Sequence, residues 1–239
     1  MSLLTTPADL SGSAEKLIRG RHATRAFHPE AVSEDTMRAI FSLAGAAPSN
    51  SNAQPWRVEI VSGAARERLA EALQAAHAER RVSVDFPYSD DMYAPAHLTR
   101  RAAFGEQLYG ALGIGRDDHE ARAAYDAESL RFYGAPHAAF LFVTGNNGVP
   151  GEAPGGARLA ADAGGYMQTL LLAMAAYGVA SCPQGLLSFY ADTVRSELQV
   201  DGDGQLLVGI SFGYADDAAP VNRITTERAP LEAVATFHA

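Results

Sequence analysis

Residues 159–177 read as one long helix, and its last third, Leu170-Leu171-Leu172-Ala173-Met174-Ala175-Ala176, has no polar side. A surface helix keeps a polar face, so a helix apolar all round must be enclosed, at the centre of a core or in an interface between subunits. Gly178 supplies its stop. The apolar run 170–180 is far short of the ~20 residues that span a bilayer. At 239 residues, with 47% apolar and 20% charged side chains, the chain is long enough to bury such a helix.

Other elements are arranged around it. Met37, Ile40, Phe41 and Ala44 fall at i, i+3, i+4 and i+7, which predicts a helix over 33–46 with Ser33 as N-cap. Further helices are expected over 65–80, over 96–112 behind Pro95, from Asp117 or Asp118 to about Tyr133, and over 188–198. Strands are expected at 57–61, 138–144, 206–212 and 234–237, and loops at 82–94, 145–156, 200–204 and 216–226. Few strands separated by long helices predict an α+β fold on a small sheet. With no linker composition and no repeat, residues 1–239 read as one domain.

The formal charge of −9 argues against nucleic acid as a partner, so an anionic ligand would need a local arginine cluster. Cys182 stands alone, which excludes an internal disulfide and fits a reducing cytoplasm. Residues 1–13 lack the basic and apolar blocks of a secretory signal, and no membrane span is expected. The chain has no H-E-x-x-H and no G-x-x-x-x-G-K-[ST]. Gly113-Ile114-Gly115 lacks the third glycine of a dinucleotide fingerprint, and seven scattered histidines suggest no metal site.

Five stretches are candidates to carry chemistry. Ala47-Pro48-Ser49-Asn50-Ser51-Asn52-Ala53-Gln54-Pro55-Trp56 is a stiff polar loop holding the only tryptophan. Arg21-His22-Ala23-Thr24-Arg25 is either a solvated basic turn or a phosphate clamp, since arginine forks match phosphate oxygens. Arg223 and Arg228 near the other end could converge with it on one anion. Cys182-Pro183-Gln184-Gly185 reads as a turn after the buried helix, with a core thiol and a glycine that permits close approach of a ligand. Gly209-Ile210-Ser211-Phe212-Gly213 satisfies G-x-S-x-G, with Asp216 or Asp217 and His238 following in hydrolase order. Here the serine falls inside a strand, whereas a nucleophile elbow places it at the start of a helix.

In their order these segments resemble the FMN-dependent nitroreductase family. Arg21 to Phe27, Pro48 to Trp56, Cys182 to Gly185 and the tail from Asn222 to Leu231 carry the likeness over nearly the whole chain. Arg100-Arg101, Leu108-Tyr109 and Tyr133-Gly134-Ala135-Pro136 resemble the larger members that act on nitroaromatic acids. The resemblance implies a small mixed sheet flanked by helices in an intertwined homodimer, with FMN at the interface. Arg21, His22, Ala23 and Arg25 would bind the flavin from one subunit; Pro48, Ser49, Asn50, Ser51 and Asn52 would reach it from the other. Pro183, Gln184 and Gly185 would meet its N5 and O4 edge, while Arg228, with Arg223, would take the phosphate. Ala23 replaces a common serine and Thr225 a common arginine. In the long region 82–133, Phe86, Tyr88, Tyr93, Arg101 and Tyr109 are candidates to meet substrate, with the aromatics of 82–94 either a lid or a surface loop. NADPH or NADH would reduce the flavin, and a nitroaromatic or quinone would reoxidise it in a ping-pong cycle. Rival readings keep the FMN site but change the chemistry to dehalogenation or flavin fragmentation, or keep only binding; a hydrolase using Ser211 is a further rival.

Overall fold

The computed structural model describes residues 7–145, 156–201 and 204–238. Its helices are α1 (Pro7–Gly20), α2 (Glu34–Ala44), α3 (Gly63–Ala78), α4 (Pro95–Ala111), α5 (His119–Ser129), α6 (Gly156–Ala176) and α7 (Ala191–Leu198). Its strands are β1 (Trp56–Ser62), β2 (His137–Val143), β3 (Ala180–Gln184) and β4 (Gln205–Gly213). The loop expected at 145–156 lies, apart from its two ends, outside the described residues, as do positions 202 and 203 of the loop expected at 200–204.

The strands run in the order β1-β2-β4-β3 with every pair antiparallel. A parallel component is the bridge of Ala23 to Ser181, laid along the outer edge of β3. Strand β2 is buried at all of its positions because both faces of the sheet are covered. Ala139, Leu141 and Val143 point to the side of α2 and α6; Ala138, Phe140 and Phe142 point to the side of α3 and α7. The expected enclosure of α6 is met on the first side, where Tyr166, Leu170, Leu171 and Met174 join the core. Among the described residues no helix is long and apolar enough to cross a membrane.

Local signals set most boundaries. Ser33 Oγ accepts the Thr36 N–H (3.2 Å) and caps α2. Asp118 caps α5 through the Ala121 N–H (3.0 Å), Pro95 opens α4, and Gly178 (φ +72°) follows α6. Three expectations are corrected. Of the turn expected at 182–185, Cys182, Pro183 and Gln184 belong to strand β3, which tolerates Pro183 because it lies at an edge of the sheet. The helix expected to reach Tyr133 ends at Ser129, since Phe132, Tyr133 and Gly134 take left-handed angles of +63°, +54° and +76°. Residues 234–237 form no strand: a short turn, Leu231–Ala233, leads into an exposed extended tail. Residues 185–189 form a tight turn ahead of the later-starting α7.

Gly209 has a packing role, because a side chain there would collide with Leu187 of that turn. Asp85 anchors the start of the 82–94 region: Arg195 grips it through both terminal nitrogens (2.5 and 3.0 Å), and the Leu206 N–H donates to it (2.6 Å).

One buried group makes the fold sensitive to acid. His137 opens β2 opposite Ser62 of β1 and lies stacked on Phe212. Its Nε2 accepts the Val32 N–H (2.9 Å), so its proton sits on Nδ1 and is donated to Ser62 Oγ. Burial first, and then the nearby Arg66, lower its pKa. A His pKa depressed in the fold means the unfolded chain binds the proton more readily. This contribution to stability is therefore complete above about pH 6.5 and is lost as pH falls through the lowered folded value. Urea denaturation between pH 7.5 and pH 5 should show stability falling with acid, and His137→Asn should flatten that slope while costing about 1–3 kcal/mol at pH 7.5.

Candidate active site

The free edge of β3 organises the site. The Thr24 N–H donates to the Ser181 carbonyl (3.0 Å), which lays Arg21, His22, Ala23 and Arg25 along that strand. Asn222 fixes the same segment from the other side: its Oδ1 accepts the Arg25 N–H (2.6 Å), and its Nδ2 donates to the carbonyls of Ala26 (2.8 Å) and Asp216 (2.9 Å). The two ends of the chain thereby meet. Arg228 comes close enough to Arg21 to lower its pKa, after the larger effect of burial. Neither arginine has a carboxylate partner among the described residues. Two guanidinium groups drawn together without an acid suit a phosphate, whose oxygens can accept from both. Arg228 also donates to the Thr226 and Glu227 carbonyls (2.9 and 3.2 Å). Arg223 is held by its own turn, donating to the carbonyls of Asp217 (3.2 Å) and Ala218 (3.1 Å). His22 donates to Gly20 at the end of α1 (3.1 Å).

Arg25 lies in an aromatic cradle. The Phe104 ring of α4 covers its guanidinium at 5.1 Å. Tyr133 and Tyr125, ring centres 5.7 Å apart, stand beside it. Burial pushes the Tyr133 phenol up to about 12 and the neighbouring Cys182 thiol up to about 11, despite the pull of Arg25. Both groups are neutral at physiological pH, which leaves the charge of Arg25 uncancelled. Gln184, at the end of β3, spends its side chain on the fold: Nε2 donates to the Ser129 carbonyl (2.8 Å), and Oε1 accepts from Ser211. Pro183 precedes it, and Gly185 begins the following turn.

The loop at 48–54 is elsewhere. Trp56 stacks on Tyr166 of α6 at 5.0 Å, and the Asn50 N–H donates to Asp162 of α6 (3.1 Å). Ser51, Asn52 and Gln54 are all left-handed, at +51°, +58° and +49°. Ser49 Oγ braces the loop by accepting the Gln54 N–H (2.9 Å), and Pro48, Asn50, Ser51 and Asn52 lie exposed. Arg21 and His22, by contrast, line a cavity of about 170 Å³ with Ala175 and Gly178, at the far end of α6. At 1.5 Å per residue, Asp162 and Ala175 are roughly 20 Å apart along that helix.

Of the substrate candidates, Tyr88, Tyr93 and Arg101 come together. Arg101 donates to the Tyr88 hydroxyl (2.6 Å) and to Asp90 (2.8 Å), and stands 4.3 Å over the Tyr93 ring. Tyr88 also rests on Phe189, in the turn that begins at Gly185, which puts the group beside the end of β3. Phe86 faces the core with α2 and α6. Tyr109 packs against Tyr125 and under Arg122, 4.0 Å away. Tyr133, Tyr125 and Phe104 were missed as site residues by sequence reasoning; no local pattern separates them from ordinary core aromatics.

The hydrolase reading fails on geometry. Ser211 is fully buried inside β4 and bonded to Gln184, while His238 is in the exposed tail.

The fold and site define an α+β protein with arginines and aromatic side chains gathered beside one edge of its sheet. The chain belongs to the nitroreductase family, which its residues 18–214 match. It is 58% identical over 241 aligned residues to nitroreductase NfnB of Mycolicibacterium smegmatis, covering 99% of both chains. It is 32% identical to a 4-nitrobenzoate reductase of Nocardioides sp., covering 98% of this chain and 93% of that one. A crystal structure of the FMN-dependent nitroreductase NfnB from Mycobacterium smegmatis in complex with NADPH superposes with a TM-score of 0.91 at 58% identity, covering 97% of this chain and all of that one.

Ser211→Ala should lower stability to urea by about 1–3 kcal/mol, because Gln184 loses a buried partner. It should leave catalysis nearly intact; loss of turnover with unchanged stability would restore the nucleophile reading.

Proposed function

We propose that the chain, one domain over residues 1–239, is an FMN-dependent NAD(P)H oxidoreductase that reduces nitroaromatic compounds or quinones as a homodimer. The observation that carries the reading is the Arg21–Arg25 segment laid along β3 and tied by Asn222 to the C-terminal region that carries Arg228, while the polar loop 48–54 lies at the other end of α6. When bound, FMN supplies the redox chemistry, taking a hydride from the nicotinamide and passing electrons to the acceptor.

The chain holds and tunes that group. Arg21 and Arg228 neutralise its phosphate. Arg25, which pairs with no carboxylate among the described residues, would stabilise the negative charge that reduction adds on the pyrimidine side of the ring. The backbone at Gln184 and Gly185 meets the opposite edge; because the Gln184 side chain is locked to Ser129 and Ser211, that backbone is rigid before the flavin arrives. Pro48, Ser49, Asn50, Ser51 and Asn52 serve the flavin of the partner subunit, since roughly 20 Å of helix separates them from their own subunit's arginines. Tyr88, Tyr93 and Arg101 border the end of β3 where an acceptor would stack. The relative crystallised with NADPH supports NADPH as donor, and the 4-nitrobenzoate reductase supports nitroaromatics as acceptors.

Purified protein should take up FMN, bleach with NADPH in the absence of oxygen, and regain its colour with a nitroaromatic; a protein that takes up no FMN would sink the reading. The dimer is tested by complementation. Arg21→Ala and Asn52→Ala should each weaken FMN binding at least tenfold, about 1.4 kcal/mol, with the fold retained by circular dichroism. Co-refolded together, the two variants should regain flavin, because each heterodimer then has one intact site. No recovery would place loop and arginines in the same subunit's site.

A further inference from the structure

We infer that Asp90 determines the class of acceptor: by pairing with Arg101 it cancels a cation beside the acceptor, so that neutral nitroaromatics are taken in preference to nitroaromatic acids. This rests on the reading of the chain as a flavin-dependent nitroreductase, which it deepens.

Arg101 and Phe104 lie three residues apart on α4, so their side chains are neighbours on one face of the helix. Phe104 covers the Arg25 guanidinium at 5.1 Å. Arg101 donates to Tyr88, whose ring centre is 5.5 Å from that of Phe189 in the turn that begins at Gly185. That face of α4 therefore reaches from Arg25 to the turn after β3, the two features assigned above to opposite edges of the flavin ring. An acceptor stacked on the ring would meet Arg101.

A lone arginine there would draw a carboxylate, because its fork matches two oxygens. In this chain the fork is already occupied. One terminal nitrogen donates to Asp90 Oδ1 (2.8 Å) and the other to the Tyr88 hydroxyl (2.6 Å). The Tyr88 hydroxyl in turn donates to the same Asp90 oxygen (2.9 Å), and the guanidinium stands 4.3 Å over the Tyr93 ring. Among the described residues Asp90 is the carboxylate paired with Arg101. Local bonds hold it in place: Ser89 Oγ accepts the Asp91 N–H (3.3 Å), and the Tyr93 N–H donates to the Asp90 carbonyl (3.1 Å), so one tight turn presents both Asp90 and Tyr93 to the arginine. The pair is open to water in the protomer, so its own contribution to stability is small. Its consequence is a lost attraction for a second carboxylate. An acid would have to displace Asp90 and then stand beside its charge; a neutral ring has only to pack against Tyr88 and Tyr93.

The test sets 4-nitrobenzoate against its uncharged methyl ester on the FMN-loaded protein. Both kcat/KM and the dissociation constant from the oxidised enzyme, read by flavin absorbance, are measured. Wild type should favour the ester. Asp90→Asn should raise the acid-to-ester preference about fivefold in both measures, the scale of one exposed charge pair. Asp91→Asn removes an equal charge one position away and should leave the preference unchanged. Combining Asp90→Asn with Arg101→Ala should return it to the wild-type value. The inference is overturned by an unmoved preference in Asp90→Asn, by an equal rise in Asp91→Asn, or by a rise that survives the loss of Arg101. A wild type that favours the acid, and ceases to in Arg101→Ala, would overturn it too. Should Asp90→Asn fail to hold flavin, Asp90→Ser carries the same comparison. A bleached flavin that neither compound reoxidises would count against the nitroreductase reading itself, whereas ester turnover with an unmoved preference counts against Asp90 alone.

Discussion

The rigid length of α6 is the constraint on which the other features depend. Its apolar side is fixed against the sheet through Leu170, Leu171 and Met174. Its first half carries Tyr166 and Asp162, the anchors of the polar loop, and its far end forms the wall beside Arg21. A packed helix neither bends nor shortens to bring two ligand-binding segments together; closing the gap would mean removing the core. In the proposed reading each chain therefore carries two half-sites, each completed by another copy. The same helix explains why the loop can be stiff. Three left-handed residues in four would be costly in a free loop, but here both ends are tied to a buried element.

Electrostatics at the site run against the rest of the molecule. The chain carries −9 overall, yet Arg21 and Arg25 lie on the segment along β3, Arg228 acts on Arg21, and none of the three pairs with a carboxylate among the described residues. Screening limits the general negative field to roughly 8–10 Å at physiological salt, so a local cluster can dominate its own surroundings. Within that cluster burial keeps Cys182 and Tyr133 protonated; a thiolate or phenolate would have cancelled the charge that a flavin requires. The one cysteine is thus better understood as a small neutral wall than as a nucleophile.

Elements governed by local chemistry were legible in the sequence. Ser33, Pro95, Asp118 and Gly178 mark helix ends through capping bonds and fixed angles that depend on a few neighbours. Strand β3 was not, because Pro183 breaks its pattern and five residues are too few to display alternation. Nor was the end of α5: helical spacing continues through Phe132 and Tyr133, and what stops the helix is a turn secured by Arg66, far away in sequence. The apolar pattern at 234–237 misled for the opposite reason, since alternation predicts a strand only where another strand is free to pair. The arginine clusters were visible as residues, but their meeting depends on Asn222 bonding to a segment almost two hundred positions earlier. That convergence entered through family resemblance rather than local pattern. Tyr133 entered only as part of that resemblance, with no role attached, and Tyr125 and Phe104 had no signal at all.

Phe237 and Val234 remain 86% and 70% exposed in the protomer, and Asn50, Ser51, Asn52 and Gln54 of the polar loop are exposed as well. An apolar tail and an exposed polar loop are covered by different chemistry, and one event in the proposed reading covers both: the tail wraps a second copy and the loop meets its flavin. Cofactor and subunit binding are then linked. A ligand that binds the assembled dimer and not the monomer stabilises the dimer by mass action, and dimerisation must raise ligand affinity by the same factor. The aromatic cradle around Arg25 lies within one chain and does not wait on that step. A preformed half-site that orients the charged arginine before the partner arrives lowers the ordering cost of assembly. Strain at Phe132 and Tyr133 is therefore met by the folding of the protomer, and dimerisation has only to add the loop.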